Sequence, residues 1–234
     1  MKKSLVPVLA IDGPSGSGKG TIGQLIAQRL GWHFLDSGAL YRAIGYAAIR
    51  TGIDLNSKDM AALASLAQDA DIRFEAAPSG LVRVVLNGTE IGDALRTEEA
   101  GTAASQVAVI PVVRAALLNK QHAFRQLPGL VADGRDMGTA VFPDAVLKIF
   151  LTASPEIRAQ RRYNQLKEKG FDANLPQLLG EIRNRDARDA ARSASPLKPA
   201  ADASILDTSV LSISEVVQQI EHLLRVQLSA QREG

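Results

Sequence analysis

The sequence predicts an α/β fold: a parallel sheet covered on both faces by helices, carrying a small antiparallel β insertion and a late pair of arginine-rich helices. Three observations lead there. A glycine-rich segment, Gly13-Pro14-Ser15-Gly16-Ser17-Gly18-Lys19-Gly20-Thr21, lies between a short apolar run and a helical period. Short apolar runs then alternate with helical periods along most of the chain. Between residues 72 and 91 the period drops to two, around an Asn87-Gly88 turn.

Residues 5–11 supply the first strand. Apolar side chains at Ile22, Leu25, Ile26 and Leu30 make the next run a helix, which Gly31 closes from the C′ position. Residues 32–35 read as a second strand ending at Asp36-Ser37-Gly38. A helix over 39–50 presents Leu40, Ala43, Ile44 and Ala47 on one face and stops at Thr51-Gly52. Asn56 or Ser57 caps an alanine-rich helix over 58–68. The insertion, near residues 70–97, comprises strands at 72–75 and 81–86, a turn at Pro78-Ser79-Gly80, and a return strand after Asn87-Gly88, whose residues both tolerate positive φ. Thr97 caps the following helix, and Pro111 breaks it before another that reaches about residue 125. Strands follow at 130–133 and 146–151. Ser154-Pro155 is a cap with proline at the first helical position. It opens one arginine-rich helix, and Asn174 or Leu175 opens a second reaching residue 192. A last strand at 204–207 precedes a helix from about Ser214, with Val216, Val217, Ile220, Leu223 and Leu224 inward and a tail expected to fray after Leu228.

Strand, glycine-rich turn and helix in that order form a phosphate cradle. Glycines at positive φ turn backbone N–H groups onto an anion, and the helix start adds unpaired donors and the positive end of its dipole. Lys19 would reach the β- and γ-phosphates, with Thr21 as a hydroxyl near a metal ion. Gly20, between the lysine and the threonine, departs from the simplest form of this motif.

The 234 residues suffice for one proper core and a small insertion. Apolar content of 46%, charged content of 22% and a net charge of +2 are ordinary for a globular protein and offer no basic stripe for nucleic acid. Without cysteine there is no disulfide or thiolate metal site. Lys2-Lys3 and the apolar run behind them resemble a leader, but cleavage there would remove the first strand. No run approaches the ~20 apolar residues of a membrane span. The expectation is a cytoplasmic monomer acting on small molecules, with neither nucleic-acid nor membrane partners.

Transfer of a phosphoryl group needs positioning and charge neutralisation more than covalent help. Asp133 ends an apolar strand, where a carboxylate can order magnesium, partly through water; Asp36 and Asp207 end strands too, and an ordinary turn aspartate is the alternative. Arg158, Arg161 and Arg162 share a helix face, as do Arg185, Arg188, Asp189 and Arg192 on the next helix. A solvated charged face is the usual reading of such runs. Here so many arginines against few acids would repel one another unless an anion joined them, which favours a phosphate-binding flap. Asp133-Gly134-Arg135-Asp136-Met137-Gly138 sets charge beside two glycines directly after a strand, as a ligand-facing loop does. The three histidines show no ligand spacing. A missing general base is no objection if the acceptor is itself a phosphate, largely ionised at neutral pH with a second pKa of about 6.

Taken together, Gly13 to Thr21 with its GKGT ending, Asp36-Ser37-Gly38-Ala39-Leu40-Tyr41-Arg42 and Asp133-Gly134-Arg135-Asp136-Met137-Gly138-Thr139 resemble the bacterial cytidylate kinases. So do Phe142-Pro143-Asp144-Ala145, Arg185-Asp186-Ala187-Arg188-Asp189 and Pro199-Ala200-Ala201-Asp202-Ala203. The resemblance spans nearly the whole chain and accounts for Gly20, since nucleoside monophosphate kinases share the GKGT loop. It implies a P-loop kinase core (1–36, 106–153, 194–234), a monophosphate-binding region (37–105) holding the β insertion, and a helical lid (154–193). It implies ATP on residues 13–21: Gly13, Pro14, Ser15, Gly16, Ser17, Gly18, Lys19, Gly20 and Thr21. Ser37, Arg114, Asp136 and Arg192 would face cytosine. Ser105, Arg185 and Asp189 would lie near the sugar, and Arg42 and Arg135 near the phosphates. Lys19, Arg158, Arg162 and Arg185 would serve catalysis, with magnesium held by Thr21 and Asp133.

Cytosine offers an N4 amino donor beside the N3 and O2 acceptors, which a carboxylate and an arginine complement. Uracil would set a carbonyl oxygen against Asp136, and a buried site made for one pattern rejects the other. The implied reaction is transfer from ATP, with magnesium, to CMP or dCMP. The alternatives are a UMP or AMP kinase, a kinase of small hydroxylated metabolites on the same core, and a nucleotide-dependent switch without turnover.

Overall fold

The computed structural model describes residues 6–55, 60–76, 82–192 and 195–233. The elements run β1 (Val8–Asp12), α1 (Lys19–Leu30), β2 (His33–Asp36), α2 (Ser37–Arg50), α3 (Met60–Asp69), β3 (Ile72–Ala76), β4 (Val82–Leu86), β5 (Thr89–Glu90), α4 (Glu98–Val107), α5 (Pro111–Ala123), β6 (Leu130–Gly134), β7 (Leu147–Thr152), α6 (Pro155–Glu168), α7 (Leu175–Ala190), β8 (Ser204–Asp207) and α8 (Ile213–Glu233). The chain divides into two compact units, Met1–Phe34 with Phe124–Gly234, and Leu35–Ala123.

The five-stranded sheet has the order β2-β6-β1-β7-β8. β1 runs parallel to both β6 and β7, and β7 parallel to β8. Every residue of β1 and β6 is buried, as strands covered on both faces must be. Leu9, Ile11, Val131, Ile149 and Leu151 from the strands meet Ile22 and Ile26 of α1 and Val216, Val217, Ile220 and Leu224 of α8 in one apolar cluster. The inward stripe expected of the last helix is therefore in place, with Leu223 packed at its edge. That helix extends to Glu233, beyond the point where fraying was expected.

In the other unit, β3, β4 and β5 form the antiparallel sheet, with Val85 opposite Glu90 across the Asn87-Gly88 turn. Both turn residues hold positive φ, 49° and 80°. α2 lies against α4 so closely that a Cβ on Gly45 would stand 2.8 Å from that of Ala103. The expected cap at Asn56 or Ser57 and the turn at Pro78-Ser79-Gly80 lie outside the described residues.

Local signals placed most helix starts. Thr97, Ser154 and Asn174 each accept the backbone N–H three residues on. α2 begins at Ser37 rather than 39, because the Asp36 carboxylate accepts the Ala39 N–H at 2.8 Å. Among the described residues no single helix is long and apolar enough to cross a membrane.

Candidate active site

The glycine loop leaves the C-terminal end of β1 and enters α1 as the spacing requires. Gly13, Gly16 and Gly18 hold φ of 147°, 79° and 97°. At Gly13 a Cβ would come within 2.0 Å of the Leu151 carbonyl oxygen, so only glycine fits against β7. Pro14 O accepts from Ser17 Oγ at 3.0 Å and from Lys19 Nζ at 2.8 Å, which closes the loop on itself. Gly18 at the N-cap of α1 brings no side-chain acceptor, leaving the first-turn N–H groups without a side-chain cap.

Side chains from distant parts of the chain hold the loop from below. Arg158 is 2% exposed and commits four of its five N–H donors. Nε donates to Ala153 O at 2.9 Å, Nη1 to Ser15 O at 3.1 Å, and the fork closes on both Asp186 oxygens. Thr208, also 2% exposed, donates through Oγ1 toward Ser17 O (3.2 Å) or Thr152 O (3.1 Å) and accepts from Arg161 Nη1 at 3.0 Å. Sequence reasoning missed Thr208, whose neighbours carry no motif.

Asp133 is buried at the end of β6, and a Cβ on Gly20 would lie 3.5 Å from its Oδ2. The strand-end carboxylate thus stands beside the first turn of α1, while the Thr21 residue next to Gly20 is exposed. Asp12, which sequence reasoning also passed over, is 4% exposed at the end of β1. Its Oδ1 and Oδ2 accept the Met137 and Gly138 N–H groups, each at 2.8 Å. Burial pushes its pKa up to about 6; the two amide bonds oppose that, the neighbouring Asp136 charge adds to it, and Lys19 offsets it. One signal was available: an acid closing an otherwise apolar strand.

The arginines are less isolated than their sequence density implies. Arg158 pairs with Asp186 and Arg183 with Glu156, each bridging α6 and α7. Asp189, 2% exposed, stands between Arg135 Nε at 3.1 Å and Arg192 Nη2 at 2.6 Å. The premise that these side chains must repel without a bound anion is thereby corrected: acids of the same chain balance part of the charge. Arg162 is half-buried and makes no hydrogen bond or ion pair with a described residue; Arg185 is half-buried on α7. Asp136 is buried directly before a five-residue π turn, Met137–Val141. Besides the contacts of Arg158, Arg161 and Asp189, further ties flank the hairpin of α6 and α7. Ser154 N donates to Ser209 Oγ at 3.2 Å at the entrance, and Lys148 of β7 pairs with Asp202 at 2.9 Å beyond the exit.

In the other unit, Ser37 is buried in the first turn of α2, and Arg42 Nη2 donates to Asp36 Oδ2 at 3.1 Å. Arg114 of α5 donates through Nη1 to Tyr41 Oη and Ala108 O, both at 3.3 Å. Arg114, drawn from an unremarkable stretch, is therefore linked to the Asp36–Arg42 segment. Ser105 is half-buried on α4.

The parallel sheet, the glycine-turned loop and the uncapped helix start define a P-loop nucleotide-binding protein. The sequence profile of the family described as Cytidylate kinase matches residues 9–226, and the chain belongs to that family. A cytidylate kinase from Stutzerimonas stutzeri is 59% identical over 216 residues, covering 92% of this chain and 93% of its own. One from Aeromonas salmonicida is 55% identical over 216 residues, with the same coverages. Among solved structures, an uncharacterized protein from Eubacterium ventriosum shares the fold at TM-score 0.53 and 12% identity, over 94% of this chain and 99% of that one.

Proposed function

We propose that the protein transfers the γ-phosphoryl group of ATP to CMP and dCMP, giving ADP and CDP or dCDP. Membership of the cytidylate kinase family supports the reaction. The observation that carries the chemistry is the closed glycine loop, with Lys19 folded onto Pro14 O at the uncapped start of α1.

The loop amides and Lys19 hold the donor phosphates, and Arg162 and Arg185 neutralise charge on the moving phosphoryl group. Arg158 contributes from beneath, through Ser15. Arg42 and Arg135 bind the acceptor phosphate, which needs no general base because it already carries its attacking oxygen as an anion. Ser37, Arg114, Asp136 and Arg192 read the base, while Ser105, Arg185 and Asp189 meet the sugar. Magnesium fits the donor set: Asp133 and the Thr21 hydroxyl are hard oxygen ligands at the first turn of α1, and a magnesium ion bound mainly by phosphates and water needs no larger protein cage. Held there, magnesium would supply positive charge that offsets the charge of the donor phosphates.

A coupled ADP-release assay across the common nucleoside monophosphates tests this reading. Turnover is expected with CMP and dCMP and to be at least about a hundredfold poorer in kcat/KM with UMP, whose O4 would face the Asp136 lone pairs. Asp136→Asn should shrink that gap. An equal loss of turnover with CMP and UMP would remove the specificity argument.

A further inference from the structure

Asp12 is the only charged residue of β1, and the fold retains it at a cost, since burial holds its carboxyl at about 6. What it holds explains the retention. Its two oxygens accept the N–H groups of Met137 and Gly138, both at 2.8 Å. The carbonyl of Asp136 in turn accepts from Ala140 N at 2.9 Å and Val141 N at 3.1 Å. The peptide unit joining Asp136 to Met137 is thus pinned at its oxygen and at its N–H. A peptide unit is planar, so fixing both ends fixes its plane and the position of the Asp136 Cα. Gly138 lies flat on this arrangement: a Cβ there would stand 3.4 Å from Asp12 Oδ2 and 3.1 Å from the Lys148 stem. Only a carboxylate offers two acceptors to two converging amides; asparagine would turn an NH₂ toward one of them.

We propose that Asp12 is a positioning residue for base recognition: by clasping the Met137 and Gly138 amides it orients the Asp136 carboxylate, and so sharpens the choice of cytosine over uracil without touching the nucleotide. This rests on the reading of Asp136 given above. The charges that act on Asp12 are Asp136, on the loop it clasps, and Lys19 on α1; the stem of Lys148, whose ammonium pairs with Asp202, lies beside Gly138.

The test measures kcat and KM for CMP, UMP and ATP in the wild type, Asp12→Asn, Asp12→Ser and Asp136→Asn. Both Asp12 variants should raise KM for CMP about tenfold, the worth of one charge-assisted hydrogen bond, and lower the CMP-over-UMP preference by a similar factor. KM for ATP should stay within twofold. A rise in both KM values together, or an unchanged CMP-over-UMP preference, overturns the proposal. A further reading needs no variant. Protonated Asp12 accepts at one position instead of two, so the wild-type CMP-over-UMP ratio of kcat/KM should fall below about pH 6. The substrate phosphates ionise alike and cancel in that ratio. A ratio constant from pH 7.5 to 5 also overturns the proposal. If Asp136→Asn leaves the preference intact, the reading of Asp136 itself fails. If Asp136→Asn lowers it and the Asp12 variants do not, only the role of Asp12 fails.

Discussion

Replacing Arg158 by methionine separates two roles that an arginine of α6 could play. The side chain is 3% exposed, and it holds Asp186 in a two-pronged ion pair while donating to Ala153 O and Ser15 O. Removing one partner of a fully buried pair costs about 3–5 kcal/mol, because the other charge is stranded. The Asp186 side chain keeps 26% of its exposure and can rehydrate, so the lower end applies. About 3 kcal/mol for the ion pair and the two carbonyls together is a reasonable expectation. For a chain of this length that lowers Tm by about 6–12 °C. Methionine fills much of the stem volume, so the loss is one of polar contacts more than packing. Ser15 O would also lose its anchor, loosening the loop and raising KM for ATP more than KM for CMP. Arg158→Lys keeps the charge but cannot form the fork and should fall between the two. Calorimetry and a coupled ADP-release assay with ATP varied measure both effects. If Tm stays within about 2 °C of wild type, less than 1 kcal/mol on this scale, while kcat drops more than a hundredfold, the guanidinium acts on the phosphoryl group directly and the anchoring argument is wrong.

Three further outcomes follow from the same geometry. Lys19→Met should lower kcat by about 10²–10³ while leaving Tm nearly unchanged, and undiminished turnover would count against the phosphate cradle. Gly13→Ala forces a Cβ to 2.0 Å from Leu151 O at a φ of 147°, so a loss of about 3 kcal/mol is expected by urea unfolding, with a raised KM for ATP. Asp12 has a folded-state pKa raised to about 6 against an ordinary 3.8, so between these values the folded state binds the extra proton. Stability relative to Asp12→Asn should therefore rise as pH falls from about 7 to about 4, by up to about 3 kcal/mol, and urea midpoints of both proteins at pH 4.5, 6 and 7.5 would show it.

What could be read from the chain beforehand was chiefly what local chemistry determines. The loop at 13–21 depends on glycine backbone freedom and a lysine at a set offset, and both are written in adjacent letters. The Asn87-Gly88 turn and the caps Thr97, Ser154 and Asn174 are equally local. Strand order is not: β1 sits between β6 and β7 because of long-range packing, which no neighbouring residues announce. Asp12 shows the same limit within the site. Its partners are backbone amides 125 and 126 residues away, and an amide has no side chain to betray it. The charge balance of the arginine helices is hidden for a related reason. Helical spacing shows which residues share a face, yet the acids that balance Arg158 and Arg183 lie on the facing helix, brought there by the hairpin of α6 and α7.

The ties of that hairpin all gather at its root: Ser154 on Ser209, Arg158 on Ser15 and Ala153, Arg161 on Thr208 and Asp189 on Arg135, with Asp202 on Lys148 beyond the exit. The far end at Lys169-Gly170 carries none of them. Displacing the pair therefore costs least at that tip and most where α6 begins and α7 ends, so Arg158 is the arginine least free to travel.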